Sequence, residues 1–147
     1  MQQLFDLADA GNISVEFRPL AQRNGEYRDD LKRIRLREDM PPRLMRFTFA
    51  HELGHAAFRD VPSMFGPENA RQERRADEWA ALRLIELDAY REFEALREGH
   101  VPAIAHDLGV VTRCVEAYQR LLERIGDTVY LDPHMGAGQW LAKVEAA

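Results

Sequence analysis

Apolar and polar residues alternate with a period of two early in the chain and recur with helical spacing later. Leu4 to Ala10 predicts a short helix ending at Gly11. ISVEFRPL (13–20) places Ile13, Val15 and Phe17 on one face, which predicts a strand. QRNGEYR (22–28) carries Asn-Gly, a turn signal. RIRLR (33–37) alternates again, with Ile34 and Leu36 inward and three arginines outward. A strand so charged is the kind tolerated at a sheet edge. Asp39 before Pro41 and Pro42 predicts a capped helix start, and the helix should run to about Arg59 and be ended by Pro62. Leu44, Phe47, Phe49, Leu53 and Phe58 make it apolar on most sides, so it should be central and buried. Residues 61–69 read as a loop. A second long helix follows from about Ala70 to Leu87, with a bent continuation to Leu96. Gly99 and Pro102 punctuate, and helices cover about 102–108 and 111–125. The tail has an apolar TVYL (128–131), a turn at Asp132 and Pro133, a Gly-rich link and an amphipathic piece ending near Val144. Strands come first and helices after, which is α+β in kind: a small sheet packed on a helical bundle.

Composition narrows the class. At 147 residues and 46% hydrophobic, the chain suits a single domain, 1–147, able to bury a real core. Its net charge of −5 argues against broad nucleic-acid binding. The one cysteine, Cys114, excludes an intramolecular disulfide framework and a cysteine-based zinc knot, and fits a reducing compartment. The start, MQQLFDLADAGN, has no basic n-region, and no apolar run approaches the ~18 residues of a membrane span. The expected location is cytoplasmic, away from membranes.

The chemistry concentrates in RFTFAHELGHAAF (46–58). His51 and His55 stand four apart on the predicted central helix, with Glu52 beside the first. Four residues advance a helix by ~6 Å with only ~40° of rotation, so both imidazoles can converge on one ion. Glu52 can then reach a water activated by that ion without ligating the metal, take its proton, and pass it to a leaving amine. Gly54 lets another backbone approach closely. The alternative is two ordinary histidines in chance spacing. Their apolar setting speaks against it, because burying unpaired imidazoles is unfavourable.

A catalytic zinc needs a third protein ligand. A third histidine six residues after His55 is excluded, because Phe58 and Val61 occupy the corresponding positions. A downstream acid or a distant His100, His106 or His134 remains. The stretch QERRADEWAALRLI (72–85) favours the acid. Glu73 and Asp77 are four apart on a face continued by Ala76, Ala80 and Leu84, so the face points inward and two carboxylates on it need partners. Zinc is a partner for Glu73, and Asp77 can accept the distal N–H of a ligand histidine. Glu78 is the runner-up ligand, about 140° around the helix on a more polar side. The plain alternative is a surface pattern paired with Arg74 and Arg75.

RFTFAHELGHAAFRD (46–60) followed by E-x-x-A-D-x-W-A-A-x-x-L (73–84) resembles the ImmA/IrrE family of metallopeptidases. The resemblance extends over about residues 10–125 and leaves 126–147 as a C-terminal tail. Trp79 stands where the family usually has Phe, Ile85 replaces a leucine, and the usual proline soon after is absent. The resemblance implies a zincin-like fold with a sheet of about three strands, and one zinc held by His51, His55 and Glu73, with Glu52 as general base. It also implies an intracellular role in which a helix-turn-helix repressor is cleaved or otherwise inactivated, in a phage or mobile-element setting or a stress response.

Other features set rivals. Ala105, Gly109 and Val115 have the small–Gly–aliphatic spacing of a helix-turn-helix, so DNA binding through 104–122 is one alternative. Arg113, Arg120 and Arg124 are balanced there by Glu116 and Glu123, which argues against it. Stretch 18–46 is more basic and reads as a solvated face or a guide for an acidic partner. Another alternative is a non-catalytic metal-containing interaction protein, repressor-binding or toxin–antitoxin-like. Cys114 shares a face with Val111, Tyr118 and Leu121, a core position from which a thiolate could also cap an open zinc. His134, Tyr27 and Tyr130 are candidates for polarising the scissile carbonyl. RIRLR, read as an edge, could pair with an extended substrate.

Overall fold

The computed structural model describes residues 1–125, 128–130 and 143–145, with side chains described as far as residue 123. The described elements run α1 (Gln2–Ala10), β1 (Ser14–Arg18), β2 (Gly25–Arg28), β3 (Arg33–Arg37), α2 (Pro42–Phe58), α3 (Gly66–Leu84), α4 (Leu87–Leu96), α5 (Val101–Leu108) and α6 (Thr112–Ile125). A short antiparallel pair, β4 (Thr128–Tyr130) with β5 (Lys143–Glu145), follows. The fold is α+β, as the order of alternation periods predicts.

The sheet has strand order β1-β3-β2, with β1 parallel and β2 antiparallel to β3. RIRLR is therefore the central strand, which corrects the expectation of an edge. Ile34 and Leu36 do point into the core and are fully buried. The arginines face the other way, and each keeps part of its side chain exposed. Arg35 bridges both flanking strands, reaching Glu16 on β1 at 3.4 Å and Glu26 on β2 at 3.3 Å. A charged alternation marks an open face, and an open face belongs to central and edge strands alike. A peptide could add only beside β1 or β2. The Asn-Gly turn signal also hid a strand, since Gly25 opens β2.

Helix α2 lies under the sheet. Phe47, Phe49, Ala50 and Leu53 are buried, which bears out the expectation of a central helix. Asp39 does not cap it, in correction of that expectation: Pro41 occupies the N-cap and Asp39 faces solvent beside Arg37. The helix closes at Arg59, whose backbone is left-handed at φ 53°. Helix α3 packs along α2 through small residues. A Cβ at Gly54 would stand 3.1 Å from both the Cα and the carbonyl oxygen of Ala76, so the glycine permits the approach. α3 begins at Gly66, earlier than expected, and stops at Leu84. The bend expected before Leu96 is a full break, because the Glu86 carboxylate accepts the N–H groups of Asp88 and Ala89 and starts α4. Gly109, left-handed at φ 69°, turns α5 into α6. No helix among the described residues is long and apolar enough to cross a membrane.

Candidate metal centre

α2 presents His51 and His55 on the face that meets α3. Their Nε2 atoms lie 3.0 Å apart. Glu73, projecting from α3, completes the group: Oε2 is 3.3 Å from His51 Nε2 and Oε1 is 3.1 Å from His55 Nε2. One ligand atom from each of the three residues falls within 4.8 Å of the others.

The far side of each imidazole is held by a carboxylate. His51 Nδ1–H donates to Asp77 Oδ1 at 2.7 Å, as the helical spacing of Glu73 and Asp77 suggests. His55 Nδ1–H donates to Asp60 Oδ2 at 2.9 Å. The left-handed Arg59 folds the chain back so that Asp60 sits beneath His55, and the Asp60 N–H also donates to the His55 carbonyl. Both carboxylates are themselves paired. Asp60 accepts from Arg75, and Asp77 accepts from Arg113 Nε at 2.8 Å.

This donor set fits a divalent cation. Carboxylates only accept, so each Nδ1 carries a ring proton, and in the neutral rings each Nε2 turns a lone pair toward the other and toward Glu73. Two lone pairs and a carboxylate cannot satisfy one another. A cation among them can, whether a proton or a metal ion, and nitrogen and oxygen ligands from two His and a Glu suit zinc. The ionisation of the group says the same. Burial works against the His55 imidazolium, but Asp60 and Glu73 outweigh it and hold the ring up at about 9. His51 is also raised, burial being outweighed by Asp77 and Glu73. Glu73 lies well below the usual carboxylate range because both imidazoles bond to it. The cluster draws positive charge to its centre.

Glu52 is buried one residue from His51, and burial pushes its carboxyl up while the imidazoles pull it down. Its side chain lies against β2. A Cβ on Gly25 would come within 2.9 Å of Glu52 Oε1 and 2.8 Å of Thr48 Cγ2. Gly25 is thus a clearance for the glutamate. Glu73, by contrast, has a side chain 53% exposed, so the centre opens to solvent on its side.

The remaining candidates stand elsewhere. Glu78 is buried, in correction of the polar side expected for it, and is not in the converging group. His100 accepts the Ala103 N–H at the start of α5, and His106 is exposed in its last turn. Cys114 is fully buried with Tyr118 and Leu121, and burial pushes its thiol up to about 12. The Tyr27 hydroxyl donates to Asp29 Oδ1 at 2.8 Å. Tyr130 lies on β4, its side chain outside the described residues, and His134 lies outside them altogether. Asp60, Arg75, Arg113 and Gly25 escape sequence reasoning. Arg75 drew notice only as a surface partner, Arg113 only as one charge on a helix-turn-helix-like pair, and Gly25 only as part of a turn signal.

A family model of peptidases, described as the IrrE N-terminal-like domain, matches residues 8–117. The chain belongs to this family. The match spans β1 to the first half of α6, and so includes every residue of the centre just described. No curated protein matches the chain. Membership in the IrrE N-terminal-like family agrees with the ImmA/IrrE resemblance read from the two motif helices, and it carries a metallopeptidase-like function with protein as the class of substrate.

Proposed function

We propose that this chain is a zinc-dependent endopeptidase of the cytoplasm that inactivates a helix-turn-helix repressor by cutting it, in a mobile-element or stress response. The observation that carries the peptidase reading is the convergence of His51, His55 and Glu73 with Glu52 beside them. His51, His55 and Glu73 would hold one zinc ion, which when bound supplies Lewis acidity to a water and to a peptide carbonyl. Asp77 and Asp60 keep the Nε2 lone pairs aimed at the centre. Glu52 takes the proton of the attacking water and hands it to the leaving nitrogen. Burial, which raises its carboxyl, favours the protonated form it must hold between the two transfers. The repressor as substrate and the setting rest on the family resemblance alone.

The test uses purified protein with the helix-turn-helix protein encoded beside it. Zinc should be present at about one equivalent. Glu52→Gln should retain zinc and lose cleavage by about 10²–10⁴-fold. Full cleavage by that variant would remove Glu52 from its role. A repressor released from its operator intact, by wild type and variant alike, would mean a non-catalytic interaction protein instead.

A further inference from the structure

The metal centre has a cation beside it that the peptidase reading above does not use. Arg113, the second residue of α6, reaches across to α3. Its Nε donates to Asp77 Oδ2 at 2.8 Å, while its Nη2 stands 3.9 Å from Glu73 Oε2. Its guanidinium carbon lies 5.7 Å above the Phe47 ring, which in turn is 6.2 Å from the His51 ring. The side chain is 55% exposed, against 7% for Asp77.

We propose that Arg113 is a catalytic residue that binds the carbonyl oxygen of the scissile peptide as it becomes an oxyanion. The proposal rests on the peptidase reading of the same centre. Charge is the first reason. A guanidinium beside a divalent-ion site opposes the ion's binding, and its pairing with Asp77 engages Nε alone, so neither accounts for the exposed terminal amino groups. An anion developing in the same space does. Geometry adds the rest. The bond from Nε to buried Asp77 and the Phe47 ring beneath restrain the guanidinium, and the terminal amino groups make no hydrogen bond among the described residues. They project on the exposed Glu73 side, where the centre opens and a peptide would enter. Donors held in place before charge develops, and needing no rearrangement, are what stabilise a tetrahedral oxyanion. Tyr27 is committed to Asp29.

In the addition step the water oxygen bonds to the carbonyl carbon, the carbonyl π pair moves onto oxygen, and the water proton goes to Glu52. Arg113 Nη–H groups hold the resulting oxyanion. In the collapse that pair re-forms the carbonyl, the C–N bond breaks, and Glu52 returns the proton to nitrogen.

The test needs no substrate. Protein loaded with cobalt(II) in place of zinc reports ligands at its open position through visible absorption. Inorganic phosphate serves as a tetrahedral anion and imidazole as a neutral ligand. Arg113→Gln should weaken phosphate by about tenfold or more while imidazole binds within about twofold of wild type. Equal phosphate binding by wild type and variant would overturn the proposal. So would wild-type protein that takes imidazole but ignores phosphate. Loss of both ligands in a folded variant would make Arg113 a prop for the site, which also overturns it. Should Arg113→Gln not fold, Arg113→Lys decides by the same comparison, since its one nitrogen cannot both stay on Asp77 and occupy the place of the terminal amino groups. Failure of wild type to take up cobalt(II) at all would sink the metallopeptidase reading and this proposal with it. That outcome is distinct from every result in which cobalt binds.

Discussion

At the scale of single residues, the most exacting position outside the ligand set is Gly25. Alanine there would place a methyl carbon 2.8 Å from Thr48 Cγ2 and 2.9 Å from Glu52 Oε1. Both neighbours belong to buried side chains of α2, so the crowding has nowhere to go except into Glu52 itself. Gly25→Ala should cost about 1–3 kcal/mol of stability from overpacking. It should also lower kcat by about tenfold to a hundredfold through misplacement of Glu52, the proposed general base. Zinc content should not change, because no ligand is touched. Steady-state kinetics beside a metal assay separates the two effects. A variant with wild-type kcat would show that β2 does not position Glu52.

At the scale of elements, the centre is a contact between two helices. α2 supplies the imidazoles, α3 supplies Glu73 and Asp77, and the turn after α2 supplies Asp60. Asp60→Asn keeps an acceptor for His55 Nδ1–H but loses the charge and the pairing with Arg75. Zinc affinity should fall by about 10–100-fold, measured by competition with a chelator. Unchanged affinity would mean that His55 is oriented by its helix alone. The helical parts of this arrangement were legible in the sequence, because residues four apart on one helix must share a face. His51 and His55 meet in that way, and so do Glu73 and Asp77. Asp60 was not, because its approach to His55 depends on one left-handed residue, Arg59, which carries no compositional mark. The sheet was legible only in part. Alternation in RIRLR gave the correct inward face of Ile34 and Leu36 but says nothing of how many neighbours a strand has. Arg113 was visible only as one charge among several on a helix-turn-helix-like pair. Its partner Asp77 is 36 positions away, and no local pattern records a contact at that range.

At the scale of the whole molecule, the centre links stability to pH and to metal. In the metal-free protein His55 is held at about 9, above the ~6.5 of an unfolded chain. A raised folded-state value means that the protonated ring stabilises the fold. That contribution is complete below pH ~6.5 and is lost as pH rises through about 9. The denaturation midpoint of chelator-treated protein should therefore fall between those two values. Zinc-loaded protein should not show the fall, because the ion replaces the proton between the same nitrogens. Equal stability of the metal-free form at both ends of that range would mean that the histidines are not coupled to Asp60 and Glu73 in the fold.

The long reach of Arg113 has one more consequence, for the order in which the molecule becomes competent. A chain is made from its N-terminus, and His51, Glu52, His55, Asp60, Glu73 and Asp77 are all in place before α4 begins. The arginine arrives 36 residues after the aspartate it will grip. Capacity to hold a metal is thus written early, and the cation set beside it is written late. A nascent chain carries the proposed ligand set well before it carries the residue proposed for the transition state, so on this reading metal binding can precede competence for cleavage.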